Sequence, residues 1–189
     1  HFILAMALLS YTFWFVLQLK VNKEQITKHE SMFNFSMALL VLLVVQLLFG
    51  ALMAGHKAAT AAATWPMINN EWIPAALFKD SPWLINFIEN KINIHFFHRG
   101  LAYLLSILIT VWYFRSSKVK GSDLFQVTRF IPLALVLLQV ILGIVSVLAS
   151  TKIIPNKWGL FEWAAQLHQL AGMCLLLSFV WVLYLVRRK

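Results

Sequence analysis

Residues 97–114 read FHRGLAYLLSILITVWYF. After His98 and Arg99 the stretch is apolar but for Ser106 and Thr110, and it is close to the roughly 20 apolar residues that a membrane helix needs. Residues 164–186 read AAQLHQLAGMCLLLSFVWVLYLV and repeat the arrangement. Each has a histidine near its start, then small residues, then an apolar run. Read together they predict two membrane helices with one histidine each at matching ends.

Three further windows qualify, at 2–19, 35–55 and 130–150. The composition agrees: 61% of the 189 residues are hydrophobic, mean hydropathy is +0.77 and charged residues make up 12%, about half the share usual in soluble domains. Lipid is the solvent such a chain requires. The expected fold class is all-α, a polytopic membrane protein with five transmembrane helices. The first window lacks a basic leader and a cleavage site, so it reads as a helix and not as a signal peptide. The chain starting at His1 is expected to begin inside a longer protein. The single cysteine, Cys174, is expected to pack in a helix.

The net charge of +9 reads as topology signal and headgroup anchor, not as a nucleic-acid surface, because the basic residues flank the apolar runs. Lys20, Lys23, Lys28, Arg115, Lys118, Lys120, Arg129, Arg187, Arg188 and Lys189 fall on one side, ten against six on the other. That places the C-terminus in the cytoplasm. The connection at 56–96 is long and carries Trp65-Pro66, Trp72, Pro74, Pro82 and Trp83. It is expected to fold on the outer surface, as an interfacial anchor or as a cap over a site.

An internal repeat links the spans. Gln46-Leu47-Leu48-Phe49-Gly50 and Gln139-Val140-Ile141-Leu142-Gly143 each precede an outer connection, and each connection is followed by a histidine helix, at His98 and at His168. Two such hairpins make a four-helix bundle with halves related by an axis along the membrane normal. Histidine inside a span is costly and marks function by default. His98 lies 17 residues before Arg115, His168 lies 19 before Arg187, and His1 lies 19 before Lys20. At about 1.5 Å per residue all three share one depth. An interhelical hydrogen bond would explain either histidine alone. A pair matched in depth, direction and repeat position points to a haem iron, which needs two axial ligands, whereas zinc wants three or four. Bundle cores suit such cofactors. Gly100, Ala102, Ala171 and Gly172 would admit a flat macrocycle, and Arg99 could pair with a propionate. His95 shares a face with His98 and reads as a supporting partner, an interfacial residue or a proton carrier. Gln46, Gln139 and Trp65 are further candidates to support the pair. His56 reads as interfacial, and His29 receives no role.

The ordered set Gly50-Ala51-Leu52-Met53-Ala54-Gly55, Thr64-Trp65-Pro66-Met67, Trp72-Ile73-Pro74, Asn86-Phe87-Ile88-Glu89-Asn90, His98-Arg99-Gly100-Leu101-Ala102-Tyr103 and His168-Gln169-Leu170-Ala171-Gly172 resembles the C-terminal half of the haem A synthase family, which serves cytochrome oxidase assembly. The resemblance implies eight membrane helices in two similar halves and oxidation of a methyl group of haem O to the formyl group of haem A. It implies His98 and His168 as axial ligands of a haem b, and His1 as a ligand in the other, substrate-haem site. His95 stands where the other half carries a glutamate, so the catalytic group is expected upstream and this segment alone is expected to be inactive. The implied organisation is 1–20 as the last helix of the N-terminal half, 21–33 as a cytoplasmic linker and 34–189 as the haem b-binding half. The implied partners are haem O, the lipid membrane, haem O synthase and other oxidase assembly factors, in a bacterial plasma membrane or mitochondrial inner membrane. Oligomeric state is left open. Two rivals remain. A non-catalytic b-type cytochrome would usually carry histidines at two depths. A transporter or structural bundle would usually carry broken helices or buried carboxylates.

Overall fold

The computed structural model describes residues 1–187, so Arg188 and Lys189 of the basic tail lie outside the described residues. Six α-helices follow one another: α1 Phe2–Lys20, α2 Glu30–Gly55, α3 Lys91–Ser116, α4 Asp123–Thr128, α5 Phe130–Ala149 and α6 Leu160–Val186. No strand occurs among the described residues; an isolated bridge joins Ile68 and Glu71. The helices make up five segments long and apolar enough to cross a membrane, as expected, α4 and α5 sharing the one at Asp123–Lys152. The protein is a polytopic, all-α membrane protein.

Three helices, α2, α3 and α6, start earlier than hydropathy predicts, because polar residues lie at their starts. The Asn90 side chain accepts from the N–H groups of Ile92 (3.0 Å) and Asn93 (3.1 Å), an N-cap that starts α3 six residues ahead of the apolar window. His98 therefore sits two turns inside its helix. His29 Nδ1 accepts from Met32 N at 3.3 Å and caps α2, a role the sequence reading did not give it. At the start of α6 the Glu162 carboxylate accepts from Gly159 N at 2.8 Å, half of a capping box. Pro132 falls in the first turn of α5, where no helical N–H is lost.

The chain packs as two compact units that divide helices rather than separate them. The first comprises His1–Val45, Leu104–Leu137 and Ala171–Lys189. Its core is the C-terminal half of α6, where Leu175, Leu176, Phe179, Val182, Tyr184 and Val186 are all buried. Trp112, fully buried, donates to Ser36 Oγ at 2.9 Å and stacks edge-on against Phe179. Between membrane helices such packing and interhelical bonds replace the hydrophobic drive, about 1 kcal/mol for each hydrogen bond. The stretch between α1 and α2 closes the end of α6: Thr27 N donates to Leu185 O at 2.7 Å and His29 N to Val186 O at 3.3 Å, pairing carbonyls that a helix end leaves open. Cys174 is exposed on α6 and so does not pack as expected.

The second unit comprises Gln46–Tyr103 and Leu138–Leu170. Its long connection is a folded element. Asn86, fully buried, donates to the carbonyls of Asp80 (2.8 Å) and Trp83 (2.9 Å) and accepts from Asp80 N (3.0 Å). Phe78 N donates to Asn93 Oδ1 at 3.1 Å, and the Phe78 ring packs against Trp83, Phe87 and Phe97. Asn69 and Asn70 take positive φ between Ile68 and Glu71, which exchange backbone bonds at 3.0 Å, the turn geometry asparagine tolerates.

Candidate functional site

The Gln-xxx-Gly motif is explained by helical geometry. A glutamine and a glycine four residues apart share one helix face, and in both copies that face meets the histidine of the next membrane helix. Gly50 lies beside His98: a Cβ placed there would sit 3.4 Å from the ring Cε1. Gly143 lies beside His168, closer still, at 3.2 Å. The glutamines then differ. Gln46 Nε2 lies 3.2 Å from His98 Nδ1, whereas Gln139 Nε2 donates to the backbone carbonyl of His168 at 2.6 Å.

These contacts bring His98 and His168 together. Their ring centres are 6.3 Å apart and their planes cross at 75°. Two imidazoles so placed would supply the two nitrogen donors that a haem iron takes from a protein. The residues present fit a bis-histidine haem iron. His168 Nδ1 is buried with no hydrogen-bond partner, a polar atom left over by the protein itself. Among the described residues no group of three or more His, Cys, Asp or Glu side chains could hold a metal ion, so a site of two axial ligands suits the donors better than a zinc site.

The neighbouring candidates hold the long connection. His95 is buried: its Nε2 donates to Ala58 O at 2.7 Å, and its Nδ1 has no partner. Arg99 donates from Nη1 to Thr64 O (2.8 Å) and Met67 O (3.3 Å) and from Nη2 to Ala62 O (2.7 Å). Three of its five N–H donors thus clasp backbone. Trp65 Nε1 donates to Tyr103 Oη at 3.1 Å. Histidine, arginine and tryptophan pin residues 58–67 to α3. His1 stands exposed at the start of α1, in the first unit. His56 is half-buried just beyond α2. Gly100, expected to admit a macrocycle, faces open space. The glycines that touch the rings are Gly50 and Gly143, whose signal was their place in the repeat.

Comparisons with known proteins add a family. Residues 1–180 match the model of the cytochrome oxidase assembly protein family. The chain is 29% identical over 192 aligned positions to the heme A synthase of Nitrosospira multiformis, covering 100% of this chain and 51% of that protein. It is 34% identical to the heme A synthase of Wolbachia sp. subsp. Brugia malayi, covering 81% of this chain and 44% of that protein. It is 32% identical to the heme A synthase of Paracoccus denitrificans, covering 81% and 41%. The chain thus spans about half the length of these curated relatives. No solved structure matches it. With nearly its whole length matched, the chain belongs to the cytochrome oxidase assembly protein family.

Proposed function

We propose that this chain is the haem b-binding part of a haem A synthase, a membrane oxidoreductase that converts a methyl group of haem O to the formyl group of haem A. The observation that carries the reading is the His98–His168 pair, 6.3 Å between ring centres, at equivalent places of an internal repeat. That its relatives are heme A synthases supports the reaction. Haem b, when bound, supplies a one-electron redox centre within the membrane. The protein's own residues do the rest. His98 and His168 offer axial nitrogens. Gly50 and Gly143 let the rings lie close against α2 and α5. Arg99 and His95 hold the connection at 58–67, and the donors that Arg99 has to spare suit a propionate.

In this reading His1 belongs to the substrate-haem site, whose other parts, with the catalytic carboxylate, come from another segment. Residues 34–189 form the four-helix haem b half, 21–33 the cytoplasmic linker, and the C-terminus faces the cytoplasm of a bacterial or the matrix of a mitochondrial inner membrane. Haem O synthase, which supplies the substrate, is the natural partner.

The test is haem analysis. The chain is expressed within a full-length synthase, in cells that make haem O but lack haem A synthase, and extracted haems are separated. Formyl-bearing haem A is expected, and is expected to vanish with His98→Ala. Haem A formation unaffected by that substitution would refute the role assigned to the pair. The chain expressed alone is expected to retain haem b and to form no haem A.

A further inference from the structure

The two glutamines of the repeat occupy equivalent positions and do different things. Gln46 reaches the ring of His98 (3.2 Å to Nδ1), while Gln139 reaches the main chain of His168 (2.6 Å) and leaves that ring's Nδ1 buried without a partner. We propose that Gln46 is a positioning residue that accepts the Nδ1–H of His98, which frees Nε2 to bind iron and makes His98 the stronger electron donor of an unequal ligand pair. The inference rests on the haem-binding reading and deepens it.

A neutral imidazole carries one proton, and the ring nitrogen without it is the one that can ligate. With the Gln46 amide donating to Nδ1, the ring proton would sit on Nε2 and block it. In that orientation Gln46 Oε1 is also buried without a donor. Turning the amide over gives Oε1 a donor, the Nδ1–H, and leaves Nε2 a free lone pair. Ligation through Nε2 and satisfaction of Oε1 thus require the same orientation. Gly50 against the ring's Cε1 edge holds the Nδ1 side toward α2. An acceptor on the far nitrogen of a metal-bound imidazole raises its basicity and commonly changes metal affinity 10- to 100-fold. A more basic ligand favours the oxidised iron and lowers the potential. His168 receives no such acceptor.

The experiment compares Gln46→Leu with Gln139→Leu in the detergent-purified chain supplied with haem. It reads haem retention and the midpoint potential. Gln46→Leu is expected to lower haem retention by about 10- to 100-fold and to raise the potential, by roughly 59 mV for each tenfold loss of preference for the oxidised iron. Gln139→Leu is expected to leave the potential where it was. Gln46→Asn, too short to reach the ring but still an amide, is expected to raise the potential as well, which separates the effect from loss of folding. Equal shifts in the Gln46 and Gln139 variants, or no shift in either Gln46 variant, overturn the inference alone while wild-type still binds haem. A wild-type chain that binds no haem overturns the haem reading and this inference together.

Discussion

The hairpins α2–α3 and α5–α6 carry the same Gln-xxx-Gly helix and the same histidine helix, yet they fix their histidines by different means. In α2–α3 the ring itself is hydrogen-bonded, by Gln46, and a Cβ at Gly50 would meet the ring at an ordinary 3.4 Å. In α5–α6 the backbone is bonded, by Gln139, and a Cβ at Gly143 would come within 3.2 Å of the ring. The connections differ too. The one after α2 is folded and pinned to α3 through His95, Arg99 and Trp65, whereas residues 151–160 are all exposed. The duplicated motif thus places both glycines beside the histidine rings and diverges in what its glutamines bond. One hairpin bonds the ring of its histidine; the other bonds the backbone of its histidine.

The largest effects should come where the hairpins are alike. His98→Ala and His168→Ala are each expected to weaken haem retention by more than the roughly 100-fold seen for outer partners of metal ligands, measured by haem content after purification. Loss in only one variant would break the symmetry of the account. Next comes the glycine contrast. Gly143→Ala forces the His168 ring aside by a few tenths of an ångström and should cost about 1–3 kcal/mol, the usual penalty of overpacking, with a fall in haem content. Gly50→Ala should be the milder of the two in the same thermal-melt and haem assays, since its contact is ordinary.

The connection sharpens the contrast further. Arg99→Met removes three bonds from a charged donor to the carbonyls of Ala62, Thr64 and Met67, each worth about 1.5–3 kcal/mol locally. Limited proteolysis within 58–75 is expected to accelerate, while cleavage within 151–159 stays unchanged. Asn86→Ala, at a fully buried hub, should act in the same direction and by less. The smallest effect expected lies outside the site. Trp112→Phe loses the bond to Ser36 and should cost about 1 kcal/mol of stability in detergent, with haem content unchanged.

The five spans and the facing histidines were legible because each depends on a strong, local signal: apolar length for the spans, equal distance from basic anchors for His98 and His168. The starts of α2 and α3 were not, because His29 and Asn90 act through caps that hydropathy does not register. The burial of His95 was also hidden. Its partner is a backbone carbonyl at Ala58, 37 positions away, and no side-chain pattern announces it. Arg99 was read as a propionate partner, yet its observed bonds run to the connection, again to carbonyls. Gln46 and Gln139 looked equivalent in sequence. Their divergence, ring nitrogen against backbone carbonyl, is a matter of side-chain geometry that a shared motif does not encode.

The most direct test of the central claim is the reduced-minus-oxidised absorption spectrum of the detergent-purified chain, expressed with haem supplied, beside His98→Ala and His168→Ala. The account predicts a low-spin b-type spectrum in the wild-type chain that is absent from both variants. A wild-type chain without haem, or a low-spin spectrum that survives either substitution, would contradict it.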